Sequence, residues 1–443
     1  MLKIVIHIVL FGLCINELYC QLYNQPEQIH LSIGNQINTW VVTWVTLSWV
    51  NESIVIYGPE SSTNLKQNGT VDKFIDGGSK KREIFMHRVL LQNLLPSTQY
   101  SYTVGSRFGW SEIHSFKTFQ SGSNWPTRYV VIGDMGNLNA RSLAAIQRET
   151  EKGYYDMVLH VGDFAYNMDS NNAQTGDQFM RQIQPVAAQL PYMTVPGNHE
   201  QAYNFSNYRR RFTMPGGDGE GQFFSFNVGY AHIIGFSSEY YYFTGYGFKQ
   251  IENQYNWLLN DLKEANKPEN RAVRPWIIAM GHRPMYCSNS DDGQHCENLI
   301  NAIRVGMPIS VHRYGSMFVF GLEKLFYDYG VDLIFGAHEH SYERMWPVYN
   351  LKVCNGTQAP YTDPPAPVHI ITGSAGNQEG EDPFYANKPV WSAFHSSDYG
   401  YTRMNIMNSS HMYLEQVSDD LGGAVIDKIL YIRNKHGQIF NCL

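Results

Sequence analysis

Short alternating runs of apolar and polar residues open the chain. Thr39-Trp40-Val41-Val42-Thr43-Trp44-Val45 has the aromatic and β-branched content of a strand, as do Ser53 to Tyr57, Met86 to Leu91 and Gln99 to Val104. Turn residues such as Gly58-Pro59 and Gly77-Gly78 separate these runs. Residues 21–121 therefore predict an all-β sandwich. No cluster of ligand-type side chains falls there, so the expected role is packing or recognition. The polar stretch Ser121-Gly122-Ser123-Asn124-Trp125-Pro126 marks a boundary, and the rhythm then changes.

From residue 126 to 443, short apolar strands alternate with helical patterns. Tyr129 to Ile132, Met157 to Val161, Met193 to Val195, Trp276 to Met280 and Val331 to Phe335 are the strands, each followed by a polar or Gly-rich segment. Ile251, Tyr255, Leu258, Leu259 and Leu262 share one helical face, and the spacing of Phe318, Leu322, Leu325 and Tyr329 predicts another. A further apolar run, Val368 to Thr372, ends in Gly373-Ser374-Ala375-Gly376. This is α/β organisation, with function expected at the carboxyl ends of the strands. No internal repeat or low-complexity tract interrupts it.

Composition narrows the setting. Of 443 residues, 43% are hydrophobic and 16% charged, which excludes a disordered tail or a coiled coil. The net charge of -7 and the lack of a long basic run argue against nucleic acid or an anionic membrane surface as main partner. Residues 1–20 combine Lys3 with an apolar core too short to span a bilayer and end at the small residue Cys20, the pattern of a signal peptide. No later stretch is long and apolar enough for a membrane span. The expectation is a secreted or lysosomal product. Outside the leader lie Cys287, Cys296, Cys354 and Cys442, an even count that favours two disulfides. Of the three pairings, Cys287–Cys296 with Cys354–Cys442 is preferred. Sequons at Asn51, Asn68, Asn204, Asn355 and Asn408 agree with the same route.

The candidate chemistry sits where the five strands end. In order, they give Gly133-Asp134-Met135-Gly136, Gly162-Asp163-Phe164-Ala165-Tyr166, Gly197-Asn198-His199-Glu200, Gly281-His282-Arg283-Pro284 and Gly336-Ala337-His338-Glu339-His340. One G-D-x-G turn is commonly just a tight connection with a local hydrogen bond. A lone His after a strand is more often a core residue than a ligand. Five such turns in succession, with His338 and His340 at alternate positions, are hard to explain as structure alone. Asp, Asn, His and Tyr donors without Cys suit hard or borderline ions. Seven donors are too many for one catalytic ion with an open position, and about right for two ions sharing a carboxylate.

These motifs, in this order, resemble the purple acid phosphatases within the wider metallophosphoesterase group. The likeness covers nearly the whole mature chain. Gln25-Pro26-Glu27-Gln28-Ile29-His30-Leu31 and Gly109-Trp110-Ser111 look like that family's fibronectin-type-III-like amino-terminal domain. The stretch around Tyr342-Glu343-Arg344 and the segment from about 365 to 430 look like its carboxyl-terminal part. The implied fold is an α/β metallophosphoesterase β-sandwich flanked by helices, preceded by the all-β domain. The resemblance implies that Asp134, Asp163, Tyr166 and His340 bind Fe(III). It likewise implies that Asp163, Asn198, His282 and His338 bind a divalent ion (iron, zinc or manganese), with Asp163 bridging. Tyr166, three residues after Asp163, distinguishes the purple enzymes from the broader group.

The implied activity is hydrolysis of phosphate monoesters by a metal-bound hydroxide, terminal or bridging, at acidic pH. His199 is the candidate to orient phosphate and protonate the leaving group, and Glu200 to orient His199. His295, in the loop between Cys287 and Cys296, is a candidate phosphate contact, although plant members carry adjacent histidines there. The usual G-H-x-H reads Ala337-His338-Glu339-His340. Two other readings stay open: a phosphodiesterase or nucleotide-hydrolysing metalloenzyme without iron, and a catalytically silent extracellular binding protein. Tyr166 weighs against the first and the complete donor set against the second. A homodimer is compatible with all of them.

Overall fold

The computed structural model describes residues 23–60, 62, 64–289, 301–311, 315–354, 359–437 and 440–442. The leader 1–20, His295, Cys296 and Asn355 lie outside them. The first hundred described residues form two antiparallel sheets face to face. One has the order Glu27–Ile33, Trp40–Thr46, Glu83–Leu91, Thr70–Ile75; the other packs Leu65–Asn68, Ile54–Pro59 and Gln99–Ser106, with His114–Lys117 also pairing the last. The inward residues of the alternation are large and aromatic: Trp40, Trp44, Tyr100, Tyr102 and Phe116 are buried, and Trp40 stacks on Phe116 at 4.7 Å. The expected sandwich is there.

Beyond it, two larger sheets form the core of the rest of the chain, beside two small hairpins. The first runs Tyr192–Val195, Met157–Val161, Thr127–Ile132, Gly400–Ile406, His411–Ser418, Ala424–Ile432; its first three strands are parallel and the others antiparallel. The second runs Phe224–Val228, Ala231–Gly235, Trp276–Met280, Leu333–Gly336, Val368–Thr372, Tyr342–Met345, Ser392–Ser396, with four consecutive parallel strands at its centre. Parallel strands covered on both faces read as continuous apolar runs, which is why Met157–Val161 and Trp276–Met280 are buried at every position. Thr372 Oγ1 donates to Val131 O at 3.2 Å and meets Thr402 Oγ1 at 3.0 Å, tying the sheets together. The strand ends carrying Asp134, Asp163 and Asn198 belong to one sheet, and those carrying His282, His338 and His340 to the other.

The helix Lys249–Ala265 buries Ile251, Leu258 and Leu262 as their spacing predicts. The expected helix from Phe318 does not form as one piece. Phe318 lies in the strand Gly315–Phe320, paired with Pro308 in a hairpin, and the helix Leu322–Asp328 starts only after Gly321. The consecutive bulky residues Met317-Phe318-Val319-Phe320 favour the extended ladder over a helical turn.

The sandwich is fastened to the α/β unit by buried polar contacts. Arg211, 1% exposed, ion-pairs with Asp177 at 2.9 Å and donates to Gln28 Oε1 at 2.9 Å; Arg82 also reaches Asp177. Tyr102 donates to Ala188 O at 2.8 Å. Cys354 and Cys442 are joined by a disulfide, and Cys287 is also disulfide-bonded. Among the described sequons, Asn51 and Asn68 are exposed, and Asn204 and Asn408 half-buried. No helix among the described residues is long and apolar enough to cross a membrane.

Candidate metal centre

Each strand stops where its chain must turn sharply, and those turns aim the polar side chains. Asp134, Asp163, Tyr166 and His338 all take left-handed backbone conformations, with φ of 55°, 52°, 47° and 72°. That region is sparsely populated by residues with a Cβ, and its concentration here is the pattern of a functional site. Two glycines make room: a Cβ on Gly162 would press on the His282 ring, and one on Gly197 would overlap the Asp163 carboxylate.

Two groups of donors result. In the first, Tyr166 donates to Asp134 Oδ1 at 3.2 Å and its oxygen lies 2.8 Å from His340 Nε2, while His340 Nε2 is 3.7 Å from Asp134 Oδ1. In the second, His282 Nε2 is 3.2 Å from Asp163 Oδ2 and 3.0 Å from Asn198 Oδ1. Donor atoms of Asp163, His282 and His338 lie within 4.8 Å of one another, all three residues buried. The charge of Asp163 is felt by Asp134 and Tyr166 of the first group as well as by His282 of the second, so the two groups share one electrostatic environment.

The supports are as specific as the donors. His282 Nδ1 meets Val161 O at 2.8 Å, fixing which nitrogen faces the centre. His338 N–H donates to Asp134 Oδ2 at 2.9 Å. His340 N–H donates to Asp382 Oδ2 at 2.6 Å, and His340 Nδ1 meets Gly380 O at 3.0 Å. Arg283 Nη1 donates to His338 Nε2 at 2.7 Å, and its Nε donates to Glu239 Oε2 at 3.0 Å. The Glu200 carboxylate accepts three main-chain N–H groups, from Asp163 (2.9 Å), Phe164 (3.1 Å) and Gly197 (2.9 Å). It thus locks the Asp163 turn onto the Asn198 turn. The side chain on His199 Nδ1 is Asn167 Oδ1, at 2.8 Å, while the Glu200 carboxylate bonds backbone donors, including those flanking the His199 turn.

Electrostatics show what the donor set demands. Burial pushes Asp134 well above the usual carboxylate range. Burial acts upward on Asp163 as well, but the His282 and His199 imidazoles outweigh it and hold Asp163 below that range. Burial opposes the charge on His282, yet Asp163 and Asp134 push it up to about 10. Burial and the Asp134 charge keep the Tyr166 phenol protonated well beyond its ordinary range. Protein atoms alone thus leave a cluster of buried acids that is eased by holding protons on its members, His282 and Tyr166 among them. Cations at these oxygens and nitrogens would relieve the same imbalance by displacing protons. Carboxylate, phenol, amide and imidazole donors without a thiol fit a hard or borderline pair of ions.

Arg283, within the fourth strand-end motif, and Glu239, Asn167, Glu379 and Asp382 join the site beyond the residues the sequence singles out. Asn167 directly follows Tyr166, and Glu239 and Glu379 follow the strands Ala231–Gly235 and Val368–Thr372, so the strand-end rule could have found them.

Comparisons with known proteins agree along the chain. Residues 26–118 match the family described as Purple acid Phosphatase, N-terminal domain, 127–342 match Calcineurin-like phosphoesterase, and 366–428 match Iron/zinc purple acid phosphatase-like protein C. Acid phosphatase type 7 of Mus musculus is 51% identical over 418 residues, covering 94% of this chain and 92% of that protein. The Homo sapiens protein of the same name is 50% identical over 417 residues, covering 93% and 92%. Fe(3+)-Zn(2+) purple acid phosphatase 12 of Arabidopsis thaliana is 28% identical, covering 93% and 85%. The solved purple acid phosphatase PPD1 from yellow lupin (Lupinus luteus) seeds shares the fold, with a TM-score of 0.75 at 23% identity over 93% of this chain and 75% of that one. Two converging donor groups, three consecutive domain matches and half-identical relatives lead to one conclusion: the chain belongs to the purple acid phosphatase family.

Proposed function

We propose that this protein is an acid phosphatase that hydrolyses phosphate monoesters at a binuclear centre. The observation that carries the reading is the convergence of buried donors from the ends of strands in two sheets, Asp134, Tyr166 and His340 in one cluster and Asp163, Asn198, His282 and His338 in the other. Asp134, Asp163, Tyr166 and His340 would hold a ferric ion, since a phenolate favours a trivalent partner. Asp163, Asn198, His282 and His338 would hold the divalent one, whether iron, zinc or manganese. When bound, two such ions supply positive charge to the phosphate oxygens and lower the pKa of water to near neutral or below.

The chain's own residues do the rest. Asn167 holds His199 by Nδ1, which leaves Nε2 directed at Asp163 Oδ2, 3.9 Å away, and Glu379 Oε2, 3.6 Å away. From there His199 Nε2 orients the phosphate and delivers a proton to the leaving alkoxide oxygen. Glu200 keeps the Asp163 and Asn198 turns in register. Replacing Asp163 by Ala should abolish turnover of a phosphomonoester, and unaltered turnover would overturn the reading. A monoester should be cleaved much faster than a diester at acidic pH.

The leader at 1–20 and the sequons at Asn51, Asn68, Asn204, Asn355 and Asn408 support a secreted or lysosomal glycoprotein. Amino-terminal sequencing of the exported protein should begin after Cys20. A mature chain that retains the leader would count against this localisation.

A further inference from the structure

The loop after the strand Val368–Thr372 brings into the site a carboxylate for which phosphate binding has no use. Asn377 Oδ1 accepts the N–H groups of Glu379 (2.8 Å) and Gly380 (3.0 Å). Gln378 Nε2 donates to Tyr166 O at 3.2 Å, and Gly380 O meets His340 Nδ1 at 3.0 Å. The backbone is therefore pinned on both sides of Glu379, to two residues of the centre itself. Glu379 Oε2 is held 3.6 Å from His199 Nε2, with its side chain 49% exposed. His199 thus stands between a buried acid at the floor, Asp163, and a half-exposed one at the mouth. Among the described residues, no lysine or arginine ion-pairs with Glu379.

A phosphate dianion near Glu379 is repelled, so the residue is poorly placed to attract phosphate. The group departing past His199, however, must pass this carboxylate. We propose that Glu379 is a specificity-determining residue that selects phosphomonoesters whose leaving group carries an ammonium cation and disfavours those whose leaving group carries a second anion. The proposal rests on the phosphatase reading above. Because the loop is already ordered, little conformational freedom is lost when a cation docks. A charge pair at a few ångströms in a half-wet mouth changes kcat/KM by roughly tenfold in each direction.

The test uses the metal-loaded full-length protein at about pH 6.5, where phosphomonoesters are largely dianionic. The probes are phosphocholine, glycerol 2-phosphate and 3-phosphoglycerate, whose leaving groups are cationic, neutral and anionic. The expected order of kcat/KM is the order given. The ratio of the first to the last should shrink as salt rises from about 20 to about 500 mM. Glu379→Gln should lower that ratio by roughly a hundredfold, the product of the two tenfold effects, and Glu379→Lys should invert the preference. Metal content, measured on each variant, should stay at the wild-type level. If both variants slow all three substrates equally, Glu379 only supports His199 and the proposal is overturned. If wild type fails even on glycerol 2-phosphate, the phosphatase reading itself falls and the proposal with it.

Discussion

Glu200 offers a demanding test, because its side chain touches no donor of the candidate centre yet holds two of the turns that form it. The residue is 2% exposed and its carboxylate is the acceptor for Asp163 N–H, Phe164 N–H and Gly197 N–H. Glu200→Ala would strand three buried donors, each costing about 1–3 kcal/mol. Even at the low end, with water entering the space, the loss is about 3 kcal/mol, or about 4–5 °C for a domain of this size. Glu200→Gln, with its oxygen in the Oε2 position, keeps the bonds to Asp163 and Gly197 and forfeits the one to Phe164, so it should lose about 1–3 kcal/mol. Metal affinity should fall about 10–100-fold in the Ala variant, because Asp163 and Asn198 are no longer held in register. Urea unfolding followed by tryptophan fluorescence, with metal analysis of the same samples, measures both. An Ala variant within about 1 kcal/mol of wild type and with full metal content would refute the locking role. In the metal-stripped protein, burial and the Asp163 charge push Glu200 up to about 8. A folded carboxyl raised in this way contributes stability that is complete below its ordinary range and lost as pH rises towards 8. Stripped wild type should therefore weaken between about pH 5 and 8 more than stripped Glu200→Gln.

Other expectations follow from the same geometry. Burial lowers His30 and His87 to about 4 and His160 and His369 to about 3, so these rings fold neutral. Their stabilising contribution is present above about 6.5 and lost as pH falls, at about 2 kcal/mol per ring by pH 5, so urea midpoints should drop between pH 7 and 5. Unchanged midpoints would contradict the burial of these rings in the neutral form. Arg211→Met leaves the buried Asp177 with Arg82 alone and should cost about 3–5 kcal/mol, read by thermal unfolding. Asp163→Ala should bind neither ion, which elemental analysis of the purified variant would reveal directly.

The converging side chains were legible because each sits within a few residues of a strand end, where a short local signature survives in the chain. Asp134, Asp163, Asn198, His282, His338 and His340 all follow apolar runs that could be picked out one by one. Their supports were harder to see, because they depend on neighbours far away in sequence. Glu239 meets Arg283 across 44 positions, and Glu200 reaches back 37 to Asp163, contacts that exist only once the two sheets and their turns are assembled. The role of Asn167 was hidden in the conformation of the turn after Tyr166, although the residue was adjacent to one already singled out. Phe318 departs from its expected helix for a different reason: a three- and four-residue spacing beginning inside a bulky extended run mimics a helix face, and Gly321 is where the two patterns part.

The most direct test of the central claim is metal analysis of the purified protein together with its visible spectrum, repeated on Tyr166→Phe. The account predicts one ferric and one divalent ion per chain, with a tyrosinate-to-iron band that disappears when the Tyr166 phenol is removed. Protein that is active without iron, or a band that survives in Tyr166→Phe, would contradict it.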